Sequence, residues 1–275
     1  MEQILFPICV AVVIALVAAV LLTLASKFMS VPVDETQVAV REQLPGANCG
    51  ACGYAGCDDY AAALASDPDV KTNLCVPGAD AVAAAIAAIL GQDALDVVEK
   101  VANVRCSGFC DKTATTMEYQ GLNTCAAAKG FFGGPGSCKY GCIGFGDCTK
   151  ACQYGAIEVC NGVAVVNREA CTGCGMCAAA CPQQLIDIIP DVKRYYVACN
   201  SADKGAVTNK LCSAGCIGCK LCEKACKFDA IHVINNHAVI DPEKCKNCSL
   251  CSKACPKKVI NIYPKPNAKP VVKVG

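Results

Sequence analysis

Cysteine occupies 27 of the 275 positions, and most of these residues fall into a ladder that repeats itself. Cys171, Cys174, Cys177 and Cys181 read C-x2-C-x2-C-x3-C and are followed by Pro182; Cys245, Cys248, Cys251 and Cys255 read the same and are followed by Pro256. An offset of 74 residues carries Cys125, Cys138, Cys142, Cys148 and Cys152 onto Cys199, Cys212, Cys216, Cys222 and Cys226, in phase with the two runs. A chain that repeats nine cysteines in register is built from two copies of one small unit. Aromatic residues make up only 5% of the chain and tryptophan is absent. Units this small and this poor in large side chains need cross-links, either disulfides or metal.

The spacing favours metal. Thiols two residues apart in triplets suit a cluster better than a disulfide framework, and soft thiolates with only two histidines suit iron and sulfide better than zinc. The C-x2-C-x2-C-x3-C-P run resembles the ligand loop of two-cluster bacterial ferredoxins. Between the cysteine groups, Ala156 to Val166 aligns with Ala230 to Ile240, each a β-branched stretch split by a turn pair, Asn161-Gly162 or Asn235-Asn236. Asn-Gly is a hairpin signal. Each unit therefore reads as ligand loop, short helix, hairpin, ligand loop, short helix, closing strand.

The ferredoxin resemblance implies that the fourth cysteine of each run reaches across to the other cluster of its module. In the second module this gives Cys216, Cys219, Cys222 and Cys255 as one set, and Cys226, Cys245, Cys248 and Cys251 as the other. In the first module it gives Cys152, Cys171, Cys174 and Cys177. The partner set has a gap, because Phe145 stands where the repeat has Cys219. Cys142, Cys148 and Cys181 then take Cys138 as the expected fourth ligand, the alternative being a three-iron cluster. Cys106, Cys110, Cys125, Cys199 and Cys212 remain, enough for a sixth cluster of undetermined membership. Cys160 aligns with Ile234 and reads as a small core residue, and His232 and His237 as hairpin residues rather than ligands.

Upstream, Cys49, Cys52, Cys57 and Cys75 read C-x2-C-x4-C-x17-C, with glycines interleaved so that backbone N–H groups can turn toward sulfur. Helices are expected from Asp58 to Ala65 and, in an alanine-rich stretch, from an Asp80 cap to Leu90 with Gly91 as its stop. From Ile4 to Leu24 run 21 uncharged residues containing Cys9. About 20 apolar residues span a bilayer core, so a transmembrane helix is expected there. Lys27 and Arg41 on its downstream side place the rest of the chain in the cytoplasm. The net charge of +1 hides a split: residues 1–192 hold 10 Lys+Arg against 19 Asp+Glu, and residues 193–275 hold 15 against 5. A basic module calls for an acidic partner; with Arg194 its only arginine, nucleic acid is not expected.

The fold class that follows is α+β. It comprises a single N-terminal transmembrane helix (residues 1–26), a small helical 4Fe-4S domain (27–105) and two tandem bacterial-type 2[4Fe-4S] ferredoxin modules, 106–190 with extra cysteines and 191–275 strongly basic. The glycines at 141, 144 and 146 lack the order of a phosphate-binding loop, so neither flavin nor NAD is expected on this chain. Nor is any nucleophile–base pair apparent.

An N-terminal apolar segment, then the Asn48-Cys49-Gly50-Ala51-Cys52-Gly53-Tyr54-Ala55-Gly56-Cys57 motif, then ferredoxin runs, resembles the iron–sulfur B subunits of the Rnf complexes, membrane-bound ferredoxin:NAD oxidoreductases. With two modules the chain resembles the long form of that family. The resemblance implies at least five [4Fe-4S] clusters and a place in an ion-translocating enzyme at the cell inner membrane. It implies electrons accepted from soluble acidic ferredoxin and passed to other membrane and peripheral subunits, in contact with the lipid bilayer, with Na+ or H+ exported. A related complex that reduces a redox-sensing regulator, and a zinc-binding membrane adaptor, are the alternative classes.

Overall fold

The computed structural model describes residues 12–24 and 34–263. Residues 12–24 form a helix, α1, exposed along its whole length. No helix among the described residues is long and apolar enough to cross a membrane. The expected transmembrane helix over 1–26 is corrected on that ground. Residues 4–11 of that span, Cys9 among them, and Lys27 lie outside the described residues.

The next unit is helical. Asp34 caps α2 (Glu35–Gln43), its side chain accepting the Thr36 N–H at 2.8 Å. Two further helices follow, α3 (Cys57–Ser66) and α4 (Ala79–Leu90), the latter ended by Gly91 in the left-handed conformation at φ 66°. Their apolar faces meet in a core of Val40, Leu44, Tyr60, Leu64 and Ile86. Gly78, rather than Asp80, sits at the start of α4; the Asp80 carboxylate instead accepts the Val97 N–H at 2.7 Å.

Two copies of one α+β unit come next. In the first, β1 (Lys100–Val104) pairs antiparallel with β4 (Ile186–Pro190), and β2 (Ile157–Cys160) pairs with β3 (Val163–Val166). In the second, β5 (Tyr195–Val197) pairs with β8 (Ile260–Ile262), and β6 (Ile231–Ile234) with β7 (His237–Ile240). Asn161 and Gly162 turn the first hairpin at φ 46° and 81°, Asn235 and Asn236 the second at 48° and 65°. Positive φ at both turn residues is what a tight two-residue hairpin requires.

Short helices α6 (Asp147–Ala151) and α7 (Met176–Ala180) carry the ligand loops of the first copy, and α9 (Leu221–Ala225) and α10 (Leu250–Ala254) those of the second. The cores repeat with the same offset: Cys148, Ile157, Ala164, Cys177 and Ile186 in one, Cys222, Ile231, Ala238, Cys251 and Ile260 in the other. Gly144 and Gly218 occupy equivalent positions where a Cβ would lie 2.9 Å from the hairpin-turn carbonyl of Gly162 or Asn236. The loop can approach the hairpin that closely only without a side chain.

Two helices have no counterpart in the other module. The first, α5 (Cys125–Lys129), is capped by Thr124 and falls in the insert before the first ligand loop; the second, α8 (Gly205–Leu211), precedes the first ligand loop of the second module. The expected core position of Cys160 is corrected. It stands half exposed at the hairpin end, its thiol donating to Glu158 at 3.3 Å, because strand alternation there leaves only Ile157 facing the core.

Candidate metal centres

Among the described residues every cysteine is a free thiol. No group of three or more Cys, His, Asp or Glu side chains among them closes tightly enough to hold a single metal ion. The sulfurs stand around voids, not around a point. Cys152, Cys171, Cys174 and Cys177 line one pocket of about 330 Å3. Cys216, Cys219, Cys222 and Cys255 line another of about 320 Å3. In each module the antiparallel ribbons and short helices bring a loop triplet and a distant fourth thiol onto the same void.

Cys142, Cys148 and Cys181 line a third pocket, of about 390 Å3, and the cysteine beside them is Cys125, not Cys138. Cys125 opens α5, and the Asp147 carboxylate at the start of α6 accepts the Ala126 N–H at 2.9 Å, locking the two helices together. Phe145 cannot supply a ligand; its ring packs on Tyr119 of the insert at 5.5 Å between centroids. Cys125 thus stands at the place where the repeat leaves a gap, and Cys138 lies at a fourth pocket.

That fourth pocket, of about 480 Å3, has Cys106, Cys138, Cys199 and Cys212 in its wall, together with Cys142, which it shares with the third pocket. Cys110 is exposed and is not among its lining residues. Two sets converge without an enclosed void being needed to see it. Cys75 lies where its thiol feels Cys57, Cys49 and Cys52, below the Tyr60 ring. Cys251 packs in one core with Cys226 and feels Cys245 and Cys248.

Backbone N–H groups point at the sulfurs. Ala102 donates to Cys171 at 3.3 Å, Ala156 to Cys152 at 3.3 Å, Leu185 to Cys181 at 3.5 Å and Ala230 to Cys226 at 3.4 Å. Such donors stabilise negative charge on sulfur and tune clusters. Burial works the other way. It pushes the thiols of Cys75, Cys177 and Cys222 up to about 11 and that of Cys148 up to about 12, with repulsion from neighbouring thiolates adding to it. Four thiols around a void can all ionise only if a cationic body sits between them. The void, the convergent sulfurs and the N–H donors fit an iron–sulfur cluster.

The lone imidazoles take no part in these sets. His232 sits beside Glu223 and Asp229 on the hairpin, while His237 is buried with Nδ1 against the Asn235 carbonyl at 3.2 Å.

Comparison with known proteins agrees with this chemistry. Residues 44–77 match the family described as "Putative Fe-S cluster", and residues 170–230 and 215–259 match the 4Fe-4S dicluster domain. The chain is 42% identical to the B subunit of the proton-translocating ferredoxin:NAD(+) oxidoreductase complex of Clostridium ljungdahlii, across 89% of this chain and 87% of that one. It is 39% identical to the B subunit of the Na(+)-translocating ferredoxin:NAD(+) oxidoreductase complex of Acetobacterium woodii, across 90% and 74%. It is also 39% identical to the B subunit of the ion-translocating oxidoreductase complex of Methanosarcina acetivorans, across 88% and 92%. Shared over nearly the whole length, and with thiol sets that fit 4Fe-4S clusters, these likenesses mean that the chain belongs to the family of iron–sulfur B subunits of the ion-translocating ferredoxin:NAD+ oxidoreductase, or Rnf, complexes.

Proposed function

We propose that this protein accepts electrons from a soluble, acidic, reduced ferredoxin at its second module and hands them on from its N-terminal domain to neighbouring subunits of the complex. The observation that carries this reading is the order in which the thiol sets meet. Cys49 of the N-terminal set lies close enough to Cys174 for their charges to repel. Cys177 of that neighbouring set stands in the same relation to Cys148. Cys222 and Cys251 of the last two sets share one core. Holding [4Fe-4S] clusters, these sets supply one-electron carriers. What the chain's own residues contribute is order, burial and a docking surface.

The second module has the surface such a donor needs. Cys219 and Cys248 are exposed, whereas Cys174, the counterpart of Cys248, is buried. Lys220, Lys224, Lys246, Lys253 and Lys258 are exposed beside these loops. Lys244 is engaged with Asp229 at 3.0 Å and Lys257 with the Asn209 side chain at 2.9 Å, so they are poorer contacts for a partner. A positive face of this kind steers an acidic protein and sets its association rate. An ion-translocating complex works across a membrane, and ferredoxin and NAD+ are cytoplasmic, so the modules face the cytoplasm.

The test is the double charge reversal Lys246→Glu, Lys258→Glu in the intact complex. Ferredoxin oxidation at low salt should slow by about tenfold or more, and its salt dependence should flatten. Unchanged rates at every ionic strength would remove this face as the docking site.

A further inference from the structure

We infer that Cys106, Cys138, Cys199 and Cys212 hold a further [4Fe-4S] cluster, one that joins the first ferredoxin module to the second. This site rests on the iron–sulfur reading above and is one to which each module supplies two ligands. Two of its four thiols, Cys106 and Cys138, lie outside the residues that match the iron–sulfur families.

The pocket has the same construction as those of the ferredoxin sets. At about 480 Å3 it is no smaller than the pockets of about 320 to 390 Å3 around the other thiol sets. Cys199 and Cys212 are each only 8% exposed. Cys106 Sγ accepts N–H bonds from Gly108 and Cys142, both at 3.4 Å, and Cys199 Sγ accepts one from Cys216 at 3.3 Å. Gly108 lies between two of the thiols: a Cβ there would sit 3.5 Å from Cys106 Sγ and 3.8 Å from Cys212 Sγ. Ser201 and Thr208, both buried in this wall, hydrogen-bond to each other at 3.1 Å. Cys142, the fifth thiol of the wall, also lines the neighbouring pocket with Cys125, Cys148 and Cys181, which leaves these four for this one.

Position gives the site its meaning. Cys142, whose N–H reaches Cys106 Sγ, belongs to the last thiol set of the first module; Cys216, whose N–H reaches Cys199 Sγ, belongs to the first set of the second. The pocket fills the interval between the two ferredoxin pairs, turning two separate pairs into one series. Protein contacts already join the modules around this pocket: Thr113 forms a β-bridge with Cys212, the Thr113 hydroxyl donates to the Leu211 carbonyl at 3.0 Å, Ser213 N–H donates to the Lys112 carbonyl at 2.9 Å, Lys139 pairs with Asp203 at 3.6 Å and Arg168 lies over the Tyr263 ring at 4.2 Å. Four bonds from sulfur to iron would add a link of a different kind at a junction the protein has already formed. Binding needs no electron: four S–H bonds give up their protons to water as four Fe–S bonds form.

Iron and acid-labile sulfide counting on the anaerobic full-length chain tests this. With all six thiol sets filled, about 24 of each are expected per chain, and about 20 if this site is empty. Cys212→Ala should lower both by about four and remove one cluster's spin from the fully reduced EPR spectrum; Cys110→Ala should change neither. Should Cys212→Ala fail to fold, alkylation of the native wild-type chain read by mass spectrometry decides instead. Cys106, Cys138, Cys199 and Cys212 should be protected while Cys110 and Cys160 react. Full iron in Cys212→Ala, alkylation of the four thiols in a chain that keeps about 20 iron atoms, one equivalent of zinc, or a disulfide among them would each overturn the assignment. A chain without iron at the other twenty thiols would instead sink the electron-transfer reading itself.

Discussion

Tyr60 is the residue through which the helical domain holds its last ligand in place, and Tyr60→Phe isolates that role. Its ring is 1% exposed in the core beside Cys57 and Cys75. Its hydroxyl donates to the Lys71 carbonyl at 2.7 Å and accepts the Leu74 N–H at 3.3 Å, pinning the segment that ends in Cys75. Phenylalanine keeps the ring and its packing, so only these two bonds go. Each contributes about 0.5–1.5 kcal/mol net. Water can re-solvate the exposed Lys71 side of the segment, so the loss should be about 1–2 kcal/mol, a five- to thirtyfold rise in opening of the segment. The assay is anaerobic iron release to a chelator. One cluster's worth should leave five to thirty times faster in Tyr60→Phe, with the remaining phases unchanged.

The same residue predicts a pH signature. Burial pushes the Tyr60 phenol from 10.0 up to about 12, against the Leu74 N–H, with repulsion from Cys52 and Cys75 adding to the rise. The fold therefore favours the neutral phenol. Its contribution is intact below pH 10 and is lost as the pH climbs through about 12. The difference between wild type and Tyr60→Phe should shrink across that window. Equal release rates at pH 7, or an equal acceleration of every phase, would refute the view that Tyr60 acts locally on Cys75.

The pocket and loop geometry carries two more expectations. Cys125→Ser should remove or convert to the three-iron form the cluster shared with Cys142, Cys148 and Cys181, visible as a new oxidised-state EPR signal, whereas Cys138→Ser should leave that cluster's signals unchanged. Gly155→Ala and Gly218→Ala both place a Cβ at positive φ, at 61° and 65°, but only at Gly218 does it meet a backbone oxygen at 2.9 Å. The first should cost about 1–2 kcal/mol and the second at least about 1 kcal/mol more, compared as thermal inactivation half-lives under anaerobic conditions.

What the sequence conveyed was whatever is encoded locally. Asn161-Gly162 and Asn235-Asn236 announced both hairpins, because positive φ at two successive positions leaves few residue choices. Gly91 announced the end of α4 for the same reason. The strands β1 and β5 were invisible: three to five residues with no turn on either side carry no period, and they exist only because β4 and β8 offer them an edge. The exchange of Cys125 and Cys138 was hidden for a different reason. Their separation along the chain favoured Cys138, which lies four residues from Cys142, but the insert folds back so that α5 docks on α6. One signal was available. Thr124 before Cys125 is a helix cap, and a cysteine in the first turn of a capped helix is held rigidly enough to serve as a ligand.

The differences between the two modules matter more than their likeness. Two identical ferredoxin units would each present one exposed end and would have no reason to face one another. In this chain the first module has phenylalanine at 145, Cys125 lines the pocket with Cys142, Cys148 and Cys181, and Cys138 lines the pocket shared with the second module. The second module keeps its own Cys219, so Cys199 and Cys212, the repeat partners of Cys125 and Cys138, are spare and turn toward the first. Cys138 from the first module and Cys199 and Cys212 from the second meet on one pocket. At the outer ends the same logic applies: Cys174 is covered by the N-terminal set, while Cys248 stays open among lysines. The difference at one of two equivalent positions, phenylalanine at 145 against cysteine at 219, thus goes with the different place of Cys125 in the first module, while Cys106, which has no repeat partner, completes the junction pocket. Removing that difference tests the idea: Phe145→Cys should make Cys125 dispensable, so that Phe145→Cys with Cys125→Ser keeps the iron and the EPR signals that Cys125→Ser alone loses. If the double variant loses that cluster too, position 145 does not face the pocket, and the repeat is not the origin of the arrangement.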